Sequence, residues 1–135
     1  MANKLAVDFC GLKFINPFTV AASPPSDSRE KVERAFEAGW AGAVFKTTSV
    51  ESEVVDLVYP MMAGLSYKEK RHAAFYNIDL ISERHIDEIE SDISYLKQKY
   101  PDRILIGSIM ASSRKDWTEL VERLEKAGAD MIECS

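Results

Sequence analysis

Short apolar runs alternate along this chain with segments whose apolar residues recur every three or four positions; the first pattern predicts buried strands, the second amphipathic helices. Phe18-Thr19-Val20-Ala21-Ala22 is one such run, and it meets Ser23-Pro24-Pro25-Ser26, where two prolines forbid regular pairing. Asp27 or Ser28 can cap the next helix, in which Val32, Ala35 and Phe36 mark a buried face and Gly39 supplies the stop. Ala43-Val44-Phe45 then reads as a second strand, with Lys46, Thr47, Thr48 and Ser49 emerging at its carboxyl end. Ahead of all this, Leu5 to Phe9, the turn residue Gly11 and Lys13-Phe14-Ile15 predict a small amino-terminal hairpin.

From Ser49 to about Leu80 the periodicity lapses, and so long a loop in a compact domain is expected to cover a site. Within it, Tyr67 to Arg71 reads as a solvated stretch, with a role over substrate as the alternative. Ser82 is expected to cap a longer helix whose Ile86, Ile89, Ile93 and Leu96 form an apolar stripe, with Asp87, Glu88, Glu90 and Asp92 as its solvated face, until Pro101 ends it. Arg103 to Met110 is the third strand. Ser112 or Ser113 opens a helix with Trp117, Leu120, Val121 and Leu124 inside and Gly128 at its close, and Ala129 to Cys134 is a fourth strand.

This order predicts a parallel α/β fold. A doubly wound sheet would carry G-x-G-x-x-G after its first strand, where Ala22-Ser23-Pro24-Pro25 stands instead, so the expectation is the amino-terminal half of a (β/α)8 TIM barrel preceded by the small β-hairpin. The chain has 135 residues against the roughly 250 of a full barrel, and half a barrel leaves two strand edges unpaired. One partial domain over 1–135, with its carboxyl half missing, is therefore expected.

Composition narrows the function. Hydrophobic residues make up 46% and charged residues 29%, which suits a soluble globular domain. Seventeen basic and twenty-two acidic residues are interspersed, giving a formal charge of −5, so nucleic acid is a poor partner. With no signal-like or spanning apolar run, a cytoplasmic location away from membranes is expected. Cys10 and Cys134 lack metal-ligand spacing and read as reduced thiols packed beside strands; His72 and His85 read as surface groups, and Trp40 and Trp117 as packing residues. A lysine at the carboxyl end of a strand is the candidate for chemistry, since parallel α/β folds place ligands there.

Ile15-Asn16-Pro17-Phe18, Ala35-Phe36-Glu37-Ala38-Gly39-Trp40, Lys46-Thr47, Asn77-Ile78-Asp79-Leu80-Ile81-Ser82-Glu83, Ser108-Ile109-Met110, Asp116-Trp117-Thr118-Glu119-Leu120 and Gly128-Ala129-Asp130 carry a further signal. With these motifs in this order, the chain resembles the pyrimidine-reducing flavin domain of dihydropyrimidine dehydrogenase, and most of all the catalytic subunit of the bacterial NAD-dependent enzyme; more loosely it resembles the dihydroorotate dehydrogenases. The resemblance implies an FMN-dependent oxidoreductase that reduces the C5=C6 bond of pyrimidines. Its electrons would come from NAD(P)H through iron-sulfur clusters in a partner subunit or a missing region, within a homo- or hetero-oligomer.

Position by position, the resemblance implies that Ala21, Ala22 and Ser23 lie against the flavin, that Lys46 and Thr47 sit beside it, and that Asn77 and Ser135 fall on substrate-binding positions, with no metal ligand. A fixed cation suits a flavin because two-electron reduction places negative charge on the pyrimidine end of its ring. Ser135 stands where the family carries an asparagine, and the family's catalytic cysteine would lie three positions beyond Ser135, so the 135 residues alone are expected to be inactive. The alternatives are dihydroorotate oxidation on the same scaffold and a non-catalytic half-barrel that dimerises.

Overall fold

The computed structural model describes residues 5–50, 62–68, 70–77 and 80–135. Strands β1 (Val7–Phe9) and β2 (Leu12–Phe14) pair antiparallel through a turn in which Cys10 and Gly11 both take positive φ. Strand β3 (Thr19–Val20) is shorter than the Phe18 to Ala22 run, because the chain must break away toward the two prolines of the one-turn 3-10 helix Pro24–Ser26. Helix α1 (Arg29–Glu37) follows Ser28. It ends as its sequence predicts: Gly39 takes φ +98, the Gly39 amide bonds the Phe36 carbonyl, and the Trp40 amide bonds the Ala35 carbonyl, which satisfies two otherwise orphaned acceptors.

Strand β4 (Gly42–Thr48) is seven residues long, so Lys46 and Thr47 belong to it and do not follow it. The expected long loop is a correction too, for part of it folds as an antiparallel hairpin of β5 (Met62–Tyr67) and β6 (Lys70–Asn77). Tyr67 and Lys68 lie exposed at its tip; residues 51–61, 69, 78 and 79 lie outside the described residues. Next come α2 (Ile86–Lys99), β7 (Ile104–Ile109), α3 (Arg114–Ala127) and β8 (Met131–Cys134). β3, β4, β7 and β8 form one parallel sheet in that order, as the strand-helix alternation requires.

Alternation along the strands splits the sheet's apolar residues between two faces. Ala43, Phe45, Leu105 and Ile109 join Val32 and Phe36 of α1, Ile86, Ile89, Ile93 and Leu96 of α2, and Leu120 and Leu124 of α3 in the main core. Burying each large aliphatic side chain here contributes about 1.5–3 kcal/mol, so this layer dominates the stability. On the opposite face Ile104, with Ile106 and Met131, packs with Phe14 and Ala41, so the β1–β2 hairpin covers the amino-terminal part of the sheet. Of the two tryptophans expected to pack, Trp117 abuts the main core, whereas Trp40 is substantially exposed, edge-on to Phe18. The result is a mixed α/β unit whose parallel sheet is lined by helices on one side.

Candidate functional site

Every residue singled out for chemistry in the described parallel sheet lies at its carboxyl-terminal end. The loop after β3 carries Ala21, Ala22 and Ser23, and it is locked by hydroxyls. The Ser23 Oγ donates to the Ala21 carbonyl at 2.8 Å, and the buried Ser26 bonds the same carbonyl at 2.9 Å while accepting from the Ser23 amide at 3.1 Å. Ala21 is exposed and Ala22 half-buried. The side chains of this fixed turn are small, and none of the three is fully buried.

The next strand end is irregular. Phe45 pairs with Gly107 and Thr48 with Ile109, so Lys46 and Thr47 together oppose the single residue Ser108. This β-bulge inserts one residue into β4 and re-aims the side chains beyond it, a device common beside active sites. Thr47 Oγ1 and the fully buried Ser108 Oγ lie 2.9 Å apart, and the Thr47 carbonyl, diverted from the ladder, accepts from the Ser82 amide at 2.7 Å. Lys46 is half-buried at the bulge. It precedes Thr47 at the carboxyl-terminal end of the sheet.

Asn77 ends β6, opposite Met62; its side chain lies outside the described residues. Ser135 follows β8 and its amide bonds the Ile109 carbonyl at 3.0 Å, which extends the β7–β8 ladder to the same end of the sheet as the bulge. Cys134 is exposed and lines a groove of about 680 Å³ with Ser113, Trp117 and Val121. The expectation that it packs against its neighbours beside a strand is therefore wrong, as is the same expectation for Cys10, exposed in the hairpin turn. Both fail because a thiol at a strand end or turn tip has no layer above it. The His72 side chain lies outside the described residues, and His85 is exposed.

Reading the residues one element at a time missed a polar network behind the bulge. Ser82 is not the cap of α2: that position belongs to His85, whose Nδ1 accepts from the Asp87 amide at 3.3 Å. Ser82 is instead buried and donates to Asp27 Oδ1 at 2.6 Å, while accepting from the Arg84 amide at 3.2 Å. Arg84 Nη1 donates to the Asp27 carbonyl at 2.9 Å and to Asp92 Oδ2 at 2.5 Å. Asp92, expected on a solvated face, is 4% exposed and also accepts from the Arg29 amide, the first of α1. Partial burial works against the Arg84 charge, but its bonds to Asp92 and Glu88 win and raise its pKa. The spacing held a signal: Asp92 lies three residues after Ile89 and four before Leu96, on the buried stripe.

No metal-binding group of three or more His, Cys, Asp or Glu side chains occurs among the described residues. No described helix is long and apolar enough to cross a membrane.

No family model matches the chain. It is 36% identical over 135 residues, its whole length, to the NAD-dependent dihydropyrimidine dehydrogenase subunit PreA of Escherichia coli. It is 37% identical to the chloroplastic dihydropyrimidine dehydrogenase (NADP(+)) of Arabidopsis thaliana, across 96% of this chain. A more distant likeness, 25% over 129 residues, is to the catalytic subunit of dihydroorotate dehydrogenase B (NAD(+)) of Thermoplasma volcanium, of which the chain covers 40%. The chain spans 32% of the length of each of the first two relatives. The resemblance read from the motifs thus extends along the whole chain.

Proposed function

We propose that this chain builds the flavin-facing part of an FMN-dependent oxidoreductase that reduces the C5=C6 bond of a pyrimidine, on the first four strands of a (β/α)8 barrel. The observation that carries this reading is the meeting, at one end of a parallel sheet, of a half-buried lysine on a bulge and a hydroxyl-locked turn of small residues. The likeness to two dihydropyrimidine dehydrogenases supports it. The dihydroorotate alternative rests on lower identity and stands second.

The residues present fit a flavin. Ala21, Ala22 and Ser23 offer backbone to a ring without side chains that collide with it, and Lys46 offers charge from the residue next to Thr47, whose hydroxyl pairs with Ser108. Bound FMN would supply hydride transfer to and from carbon. Lys46 would hold the negative charge that reduction creates, and Thr47 and Ser108 would offer hydrogen bonds that keep the neighbourhood polar but dry. Asn77 would present a carboxamide, donor and acceptor together, to the amide edge of a pyrimidine, and Ser135 would stand beside it. The word "subunit" in the name of the bacterial relative supports a partner that delivers electrons from NAD(P)H.

The test is electrochemical. Lys46→Met in the FMN-loaded protein should lower the two-electron midpoint potential by about 30 mV or more, the equivalent of about 1.4 kcal/mol. An unchanged potential would remove Lys46 from the flavin site.

A further inference from the structure

Building on the flavin reading, we propose that Ser82, Asp27 and Arg84 form a positioning network that holds the β4 bulge, and through it Lys46, in its working geometry. A bulge is the weakest point of a parallel ladder, because its extra residue leaves backbone groups without a strand partner. Here the Thr47 carbonyl is claimed by the amide of Ser82, a residue 35 positions further along the chain, at 2.7 Å. The Ser82 position is in turn held by its hydroxyl, bonded to Asp27 Oδ1 at 2.6 Å and to the Arg84 amide at 3.2 Å. Asp27 follows the locked turn that bears Ala21 to Ser23, and Arg84 ties the Asp27 carbonyl to Asp92.

Three separate stretches are therefore tied to one another through Ser82: the turn after β3, the bulge of β4 and the segment that leads into α2. Ser82 is 5% exposed and Asp92 4%, so water is poorly placed to replace a lost partner. Removing the Ser82 hydroxyl leaves Asp27 without its bond and frees the segment whose amide pins Thr47. Lys46, next in the chain to Thr47, then loses its fixed position. The network touches neither flavin nor substrate; it acts through the bulge.

The experiment is a double-mutant cycle on the FMN-loaded protein, with Ser82→Ala and Lys46→Met made singly and together and the flavin midpoint potential as readout. The expected result is that Ser82→Ala shifts the potential in the negative direction, as Lys46→Met does, that the pair shifts it no further than Lys46→Met alone, and that Ser82→Thr restores the native value. No shift in Ser82→Ala, or a full additional shift in the pair, would overturn the proposal, since a merely structural role would act independently of the lysine. Asp27→Ala provides a second route that needs no cofactor. Hydrogen exchange of the residue 82 amide should quicken about ten-fold or more while the Leu105 amide in the sheet centre keeps its protection. Unchanged exchange at residue 82 would also overturn it. A native protein that binds no FMN would refute the flavin reading, and the exchange measurement would still decide the network.

Discussion

Gly107 shows how one position without a side chain sets a layer. A Cβ built there would lie 2.5 Å from the Leu124 Cδ1, and Leu124 is fully buried, so it has nowhere to retreat. Gly107→Ala is therefore expected to destabilise the protein by about 1–3 kcal/mol in chemical denaturation, the range for overpacking a core. Just past the bulge, Thr48 presents the opposite case. It is 1% exposed and its hydroxyl lacks a hydrogen-bond partner. Thr48→Val, nearly isosteric, should raise the unfolding free energy by about 1 kcal/mol, because an unsatisfied buried hydroxyl is removed. At this scale Lys46 was legible as a residue near the carboxyl end of a strand, because three apolar residues precede it, although β4 runs two residues further. The Ser82–Asp27–Arg84–Asp92 network was not, because its members are separated by up to 65 positions and meet only once three elements have packed.

Elements were more legible than contacts. α1, α2 and α3 fall where the 3.6-residue periodicity and the Gly39 and Gly128 stops place them, because capping and amphipathicity are local. The β5–β6 hairpin was illegible: its residues show no clean alternation, and its strands pair with each other and not with the parallel sheet. A clamp joins α2 to the strand pair β7–β8. Lys97 Nζ lies 2.9 Å and 3.0 Å from the two Asp130 oxygens, and Asp130 also accepts from the Leu105 amide at 2.8 Å. Asp130→Ala should cost about 2–4 kcal/mol in stability, since it strands both a partly buried ammonium and a strand amide. Asp130→Asn, which keeps an acceptor for Leu105, should cost less in the same denaturation series.

For the molecule as a whole, the acidic balance predicts sensitivity to low pH, and the helical layer shows where. Arg123 of α3 bonds Asp87 and Glu90 of α2, with Glu90 Oε2 at 2.5 Å. The Arg123 bond holds the Asp87 carboxyl below its ordinary 3.8, and backbone and Ser28 bonds do the same for Glu30. A depressed folded pKa adds stability above the unfolded value and loses it as pH falls through the folded value. Unfolding free energy should therefore decline as pH drops below about 4, and Arg123→Met should flatten that decline by removing the Asp87 part. Both carboxylates are well exposed, so the change is small and is best read as a difference in slope between the two proteins.

The overall order of strands and helices was readable because each strand and each helix turn announces itself locally; the closeness of β3, β4, β7 and β8 to one another was readable only as a consequence of that order. The odd residue in β4 has a further meaning for how such a chain can change over generations. Here the count matters: losing a single residue from Lys46–Thr47 would close the bulge, leaving one residue opposite Ser108 with Thr48 still opposite Ile109, so the cation and the hydroxyl could not both stand there. At this one spot, then, descent is constrained to substitution, because a deletion would erase the extra residue.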